Sequence, residues 1–242
     1  MRSPAKALRK NHVAIVDDHP LVREALMQLI GRQPDLNCTG TAETTAEARR
    51  MVEALSPDLL ILDLRLKSGD ALDLIKTLRA EHPEVKVLVL SQYDELIFAE
   101  RVLRAGACGY VMKENATEEI LQAIQTVLKG EIYFSNRVGI AAVHRSLESK
   151  RLPSSEGIGR LSDRELQVLQ FIGAGFSVSQ IAKQFGVSVK TVETHRDNIK
   201  IKLNMESAAE LHSFAERWVI DNLLPLQRIP APASGKHSKI RR

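Results

Sequence analysis

The sequence predicts an α/β protein in which a doubly wound, five-stranded parallel sheet precedes a small all-α domain of four helices. Three observations lead to this prediction. Five short β-branched or leucine-rich runs recur through the first half of the chain, with stretches of helical periodicity between them. Clear periodicity is then lost over residues 134–160, and four helix-start signals follow.

The five predicted strands are 12–17 (HVAIVD), 36–41, 58–63 (DLLILD), 85–91 (VKVLVLS) and 108–112 (CGYVM). In the first intervening helix, Leu21, Ala25, Met27, Leu29 and Ile30 could supply an apolar face, and in the last, Ile120, Ile124, Val127 and Leu128 recur at three- and four-residue steps. Strands buried on both faces are continuous apolar runs, as in parallel sheets covered by helices on both sides. The first half is therefore predicted to be such a sheet.

The second half begins with cap signals, in which a serine is followed three residues later by a residue that can share the cap. The pairs are Ser162 with Glu165, Ser177 with Gln180, Ser188 with Thr191, and Ser207 with Glu210. GAGFS, residues 173–177, separates the first helix from the second, and FGVS, residues 185–188, is a tight turn before the third. This is the spacing of a helix-turn-helix, although a generic helical bundle has the same number of helices.

Composition limits the class of protein. The 242 residues are 44% hydrophobic, enough for two modest cores. No apolar run approaches the roughly 18 residues of a membrane span, and no apolar segment follows the basic start, so we expect a cytoplasmic protein with no membrane partner. Cys38 and Cys108 each lie in an apolar stretch, which favours buried, reduced thiols.

Charge is divided unequally along the chain. Residues 11–149 hold 15 basic and 21 acidic residues, a net of −6, whereas residues 150–242 hold 15 basic and 9 acidic, a net of +6. The two halves are therefore expected to meet different partners, with polyanions the natural candidates for the second.

Polar side chains end four of the predicted strands. They are Asp17 with Asp18, Asp63, Ser91 and Lys113. Ligands of doubly wound sheets bind at the carboxyl ends of the strands, so these groups are expected to converge on one edge. Three carboxylates placed together require a cation, and oxygen ligands select a hard one such as Mg²⁺. An open magnesium site suits phosphoryl transfer.

Each of these residues also has a simpler interpretation. Asp18 could cap the next helix, because Pro20 follows close behind, and Ser91 could cap the helix after its strand. Lys113 could be an ordinary solvated lysine. Asp63 is harder to explain in this way, since it closes the most apolar strand, LLIL, where a lone charge is costly.

Asp17 and Asp18, Asp63, Ser91, and Lys113 in GYVMK together resemble the receiver domain of two-component response regulators, which has a flavodoxin-like fold, over residues 10–132. The resemblance implies that Asp63 accepts a phosphoryl group from a sensor histidine kinase. It implies Mg²⁺ ligands in Asp18, Asp63 and the backbone carbonyl of Arg65, with Asp17 acting through water. It also implies that Lys113 and Ser91 neutralise phosphate oxygens, and that Tyr110 moves inward as the Ser91 hydroxyl is drawn to the phosphoryl group.

Residues 161–203 resemble the LuxR-type helix-turn-helix, which places the chain among NarL/FixJ-like response regulators. The matching positions are Glu165, Gly175, Ile181, Ala182, Thr191, Val192, His195 and Leu203. The domains are thus expected at 10–132 (receiver), 133–158 (linker) and 159–224 (DNA binding). The remaining residues, 225–242, are expected to form a basic, disordered tail that adds nonspecific attraction to phosphates.

The third helix of this domain is the predicted reader of double-stranded DNA. Val192, Ile199 and Leu203 are expected to face the core. The predicted phosphate contacts are Lys190, Thr191, Arg196 and Lys200, the predicted base readers are Glu193 and Thr194, and Asp197 either faces DNA or orients a neighbouring basic residue. A carboxylate near DNA requires a base amine, so Glu193 predicts a cytosine in the site.

The last helix, with Leu211, Phe214, Ala215 and Trp218, is either core or the face of a homodimer formed on phosphorylation or on DNA. The predicted function is a phosphorylation-switched transcription regulator rather than an enzyme. One rival is a helical domain that binds protein or RNA. Another is a haloacid dehalogenase-type phosphatase, which needs an acid two residues after Asp63, where this chain has Arg65.

Overall fold

The computed structural model describes residues 10–66, 69–140 and 157–222, with side chains to residue 220. The chain divides into two compact units at residues 159 and 160. No helix within these ranges is long and apolar enough to cross a bilayer.

The first unit contains a five-stranded sheet of order β2-β1-β3-β4-β5, in which every neighbouring pair is parallel. The strands are β1 (Asn11–Val16), β2 (Leu36–Ala42), β3 (Leu59–Leu62), β4 (Lys86–Ser91) and β5 (Gly109–Met112). The predicted fold class is confirmed. The strand order reverses between β1 and β3, so the carboxyl ends of these two strands flank the switch point.

Five helices connect and cover the strands: α1 (Pro20–Gly31), α2 (Thr45–Leu55), α3 (Ala71–Glu81), α4 (Glu95–Ala105) and α5 (Ala116–Leu128). β3 is buried along its whole length, as the run LLIL predicts. One core cluster joins β1, β3 and β4 to the inner faces of α1 and α5. Cys38 and Cys108 are free, as expected, and lie toward opposite edges of the sheet, but both are only partly buried where buried thiols were expected.

The second unit contains the four predicted helices: α6 (Asp163–Gly173), α7 (Val178–Phe185), α8 (Val189–Leu203) and α9 (Ala208–Asn222). All four cap predictions are confirmed. Ser162 and Ser177 form complete capping boxes, and Ser188 and Ser207 accept the backbone N–H groups of Thr191 and Glu210. Caps of this kind satisfy amide groups at the helix start and typically stabilise by about 1 kcal/mol each.

The last helix packs against the first helix of this unit. Leu211, Ala215 and Trp218 are buried, which favours the core interpretation of α9 over a dimer face. Gly173 permits the close approach of the two helices, because a Cβ there would lie 2.2 Å from the carbonyl oxygen of Ala215.

The segment between the two units is described in part. Residues 136–140 are helical, within the region that lacks clear periodicity in the sequence. The rest of the predicted linker up to residue 156, and the predicted tail at 225–242, lie outside the described residues.

Candidate functional site

Three carboxylates meet where β1 and β3 end. The backbone N–H of Asp63 donates to the carbonyl oxygen of Val16 at 2.8 Å, which places Asp63 beside the end of β1. Asp17, Asp18 and Asp63 are 2%, 7% and 3% exposed. The carboxylate oxygens therefore come together in a setting with little water to screen them.

Lys113 lies between two of these carboxylates. It follows β5 at the start of a short 3-10 helix, Lys113–Asn115. Its Nζ is 2.6 Å from Oδ2 of Asp17 and 2.6 Å from Oδ2 of Asp63, and its side chain is 10% exposed. The alternative of a solvated lysine was wrong.

The histidine after the acidic pair also reaches the site. His19 Nδ1 lies 2.7 Å from Oδ1 of Asp18 and 3.1 Å from Oδ1 of Asp17, and the backbone N–H of His19 donates to Asp17 at 2.8 Å. Helix α1 begins at Pro20, and His19 occupies the N-cap position. The interpretation of Asp18 as the N-cap was therefore wrong.

The electrostatics follow from burial and crowding. Burial, together with the nearby Asp17 carboxylate, raises the pKa of Asp63 to about 6 against the lowering effect of Lys113. Burial alone would lower the pKa of Lys113, but the carboxylates of Asp63 and Asp17 outweigh it and the pKa is raised. The lysine is thus held as a cation, and one cation does not fully compensate the carboxylates.

The donor set fits a hard divalent cation. Asp17, Asp18, His19 and Asp63 each offer one ligand atom, and these atoms all lie within 4.8 Å of one another. Carboxylate oxygens at such separations suit Mg²⁺, which keeps several waters. The backbone N–H of Arg65 donates to Oδ1 of Asp63 at 3.1 Å, so the Arg65 backbone lies close to this carboxylate.

Ser91 and Tyr110 stand beside this acidic cluster. Ser91 ends β4, is fully buried, and accepts the backbone N–H of Tyr93 at 3.4 Å. It is not the cap of α4, since Asp94 occupies that position. Tyr110 is buried, with its hydroxyl donating to the carbonyl oxygen of Tyr93 at 2.7 Å. The aromatic ring of Tyr110 is thus buried in this structure.

Helix α8 of the second unit presents an exposed polar face. Val192 and Ile199 are buried, and Leu203 is partly buried, as predicted. Steps of 100° per residue around the helix place four predicted contacts on the side away from Val192, and all four are exposed. These are Lys190, Glu193, Thr194 and Asp197.

The other three predicted contacts lie apart from this face, and one of them, Lys200, is partly buried next to Ile199. Arg196 is partly buried, close to the core side of α8, and Thr191 lies at the helix start with its hydroxyl 2.8 Å from that of Ser188. Asp197 pairs with Lys200 at 2.9 Å, which supports an orienting role for this carboxylate. The exposed face offers Lys190 to phosphates beside Glu193 and Thr194, and Lys200 lies at its edge.

Comparison with known proteins agrees with both units. A family model described as the response regulator receiver domain matches residues 13–125, and one described as bacterial regulatory proteins, luxR family, matches residues 160–215. The oxygen regulatory protein NreC of Staphylococcus haemolyticus is 36% identical over 208 residues, which cover 84% of this chain and 95% of NreC. The chain belongs to the NarL/FixJ-like response regulators.

Relatives and solved structures extend the comparison. NreC of Staphylococcus aureus strain MRSA252 is 35% identical over the same shares of the two chains. RcsB from Salmonella enterica serovar Typhimurium, solved on promoter P1flhDC with the phosphomimetic BeF3-, has a TM-score of 0.65 and 26% identity, and covers 86% of this chain and 100% of its own. A structure of two RcsB dimers on two parallel DNAs has a TM-score of 0.52 and 26% identity, with 86% and 98% covered. Both of these RcsB structures are described as bound to DNA, the first in the presence of a phosphomimetic.

Two buried glutamates of this response regulator have contacts that the sequence did not predict. Glu165 forms its capping box and is also 2.6 Å from Nζ of Lys202 on α8, which lowers the pKa of Glu165 despite its burial. Glu95 on α4 contacts Ser135. The sequence did contain a sign of their burial. Both glutamates lie three or four residues from apolar positions, on the face of the helix that packs into the core.

Proposed function

We propose that the response regulator is switched by transfer of a phosphoryl group from the phosphohistidine of a sensor kinase to Asp63. The observation that carries this proposal is the cluster of three buried carboxylates with Lys113 at 2.6 Å from two of them. Asp63 is the carboxylate that follows β3, and burial raises its pKa to about 6 although Lys113 lies beside it.

Asp18, Asp63 and the backbone carbonyl of Arg65 would hold Mg²⁺, with Asp17 contributing through a water molecule. The bound metal supplies positive charge to the phosphoryl oxygens during transfer. Lys113 is already beside Asp63 and would pair with a phosphoryl oxygen. The chain assists only its own phosphorylation and dephosphorylation, so we do not propose a separate enzymatic reaction.

The switch would run from Asp63 to Ser91 and Tyr110. A phosphoryl group on Asp63 adds charge and three acceptor oxygens, which would draw the Ser91 hydroxyl. The space beside Ser91 is held by Tyr110, whose hydroxyl is fixed to the carbonyl oxygen of Tyr93. Phosphorylation would therefore favour the inward position of Tyr110 and the associated position of α4.

The output would be binding of α8 in the major groove of double-stranded DNA, with a homodimer matching two half-sites. The exposed polar face of α8 supports this proposal, as does the RcsB structure described as dimers bound to DNA. Lys190, Thr191, Arg196 and Lys200 would contact phosphates, and Glu193 and Thr194 would read bases. A cytoplasmic location follows from these partners, the kinase and DNA.

The test is phosphorylation by a small-molecule donor such as acetyl phosphate, with and without Mg²⁺. Asp18→Ala should abolish the Mg²⁺-dependent reaction and keep a folded receiver, and Asp63→Asn should take up no phosphoryl group. Asp73→Ala is the matched control, because Asp73 is exposed on α3 and pairs with Lys76 rather than with the acidic cluster. Asp18→Ala reacting at the wild-type rate, or phosphorylated Asp63→Asn, would contradict the proposal.

A further inference from the structure

The chain segment after α5 is bound to the edge of the sheet. Residues 131–135, here named the exit segment, begin the connection to the DNA-binding domain. The backbone N–H of Tyr133 donates to the carbonyl oxygen of Cys108 at 3.0 Å. The backbone N–H of Tyr110 donates to the carbonyl oxygen of Tyr133 at 2.9 Å. A Cβ on Gly109 would lie 2.8 Å from the Tyr133 carbonyl oxygen, so glycine at this position permits the close approach.

Glu95 joins the same segment to the first turn of α4. Its Oε1 accepts the backbone N–H of Ser135 at 2.8 Å, and its Oε2 accepts the Ser135 hydroxyl. The residue is 2% exposed. A buried carboxylate needs hydrogen bonds to offset its lost hydration, and the start of a helix favours negative charge. Ser135 supplies two such bonds.

Tyr110 completes a closed ring of contacts. Its hydroxyl is bonded to the carbonyl oxygen of Tyr93, two residues before Glu95, and its backbone N–H is bonded to Tyr133, two residues before Ser135. The side chain of Tyr110, the start of α4 and the exit segment therefore cannot move independently while these bonds persist.

We propose that Glu95 is a positioning residue that couples the switch to the exit segment through Ser135. The inference rests on the proposed function, since it assumes that Ser91 and Tyr110 respond to Asp63. Phosphorylation stabilises the inward Tyr110 and the position of α4 that goes with it. Glu95 then fixes the exit segment, and with it the start of the connection to the DNA-binding domain. Without Glu95 or Ser135 the receiver would still be phosphorylated, but its output would be weakened.

The experiment compares full-length wild type, Glu95→Gln and Ser135→Ala. Glu131→Gln is the matched control, because it removes an exposed carboxylate from the same exit segment. The DNA probe is a duplex selected on the wild-type protein. Affinity is measured with and without beryllofluoride and Mg²⁺, together with the rate of phosphorylation by acetyl phosphate and amide exchange at Ser135.

In Glu95→Gln and Ser135→Ala we expect an unchanged phosphorylation rate, faster amide exchange at Ser135, and an increase in DNA affinity on activation about ten-fold smaller than in wild type. A purely structural role would lower stability without changing this ratio. If Glu95→Gln does not fold, Ser135→Ala, which removes one oxygen atom, decides the question. If both variants keep the increase in DNA affinity that activation causes in wild type, the inference is overturned. If activation does not increase the DNA affinity of wild type, the proposed function is overturned.

Discussion

Replacing Asp63 with asparagine should stabilise the metal-free receiver, although it removes the phosphoryl acceptor. Burial raises the pKa of Asp63 from its ordinary value of 3.8 to about 6. Because the pKa is higher in the folded than in the unfolded protein, the free energy of unfolding falls as pH rises from the unfolded pKa to the folded pKa. At about 1.4 kcal/mol for each pKa unit, the full cost at neutral pH is about 3 kcal/mol.

Asparagine does not ionise, and Lys113 keeps its contact with Asp17 in the variant. We therefore expect Asp63→Asn to exceed wild type in free energy of unfolding by up to about 3 kcal/mol at pH 7.5 without metal, and by roughly half as much at pH 5. Added Mg²⁺ should stabilise wild type and reduce the difference, because it binds the folded carboxylates.

The assay is urea denaturation in a chelating buffer, with hydrogen exchange of the β1 and β3 amides to report the receiver separately. Asp73→Asn, an exposed carboxylate on α3, is the control and should show no comparable gain. If Asp63→Asn is no more stable than wild type at pH 7.5, or if the difference does not change with pH, the electrostatic reasoning is wrong.

Three further predictions concern the switch and the DNA-binding domain. Ser91→Ala should be phosphorylated but weakened in output, and near-normal DNA binding by the phosphorylated variant would contradict the role of Ser91. Glu193→Gln should change base preference at a cytosine, measured by selection on random duplexes; an unchanged preference argues against base reading. Lys202→Met should destabilise the second unit by about 1 to 2 kcal/mol, because it leaves Glu165 buried without its cation. The lowered pKa of Glu165 means that this contribution is present above pH 4.5 and is lost as pH falls through the folded pKa, so the Lys202→Met defect should shrink in acid. Fluorescence of Trp218, the single tryptophan, reports this unfolding, with exposed Lys183→Met as the comparison.

The sequence predicted the sheet well because its strands are buried on both faces and are therefore continuous apolar runs. It also predicted the convergence of Asp17, Asp63 and Lys113, since parallel strands place their carboxyl ends on one edge. The contacts of each site side chain depend on the direction in which it points, and the hydrophobic periodicity of the sequence does not specify that direction. Thus Asp18 was open to interpretation as a cap, and the partial burial of Arg196 on α8 was missed. The contacts of Glu95 and Glu165 join residues 40 and 37 positions apart, beyond any local pattern.

The hydrogen bonds between the exit segment and the β5 edge also affect how readily one molecule associates with another. β5 is the last strand of the sheet, and an uncovered edge strand offers N–H and carbonyl groups to other chains. Tyr133 occupies part of that edge through its two backbone hydrogen bonds. A receiver fragment that ends at Leu128 would leave the edge open and should self-associate more readily than one that extends past Ser135.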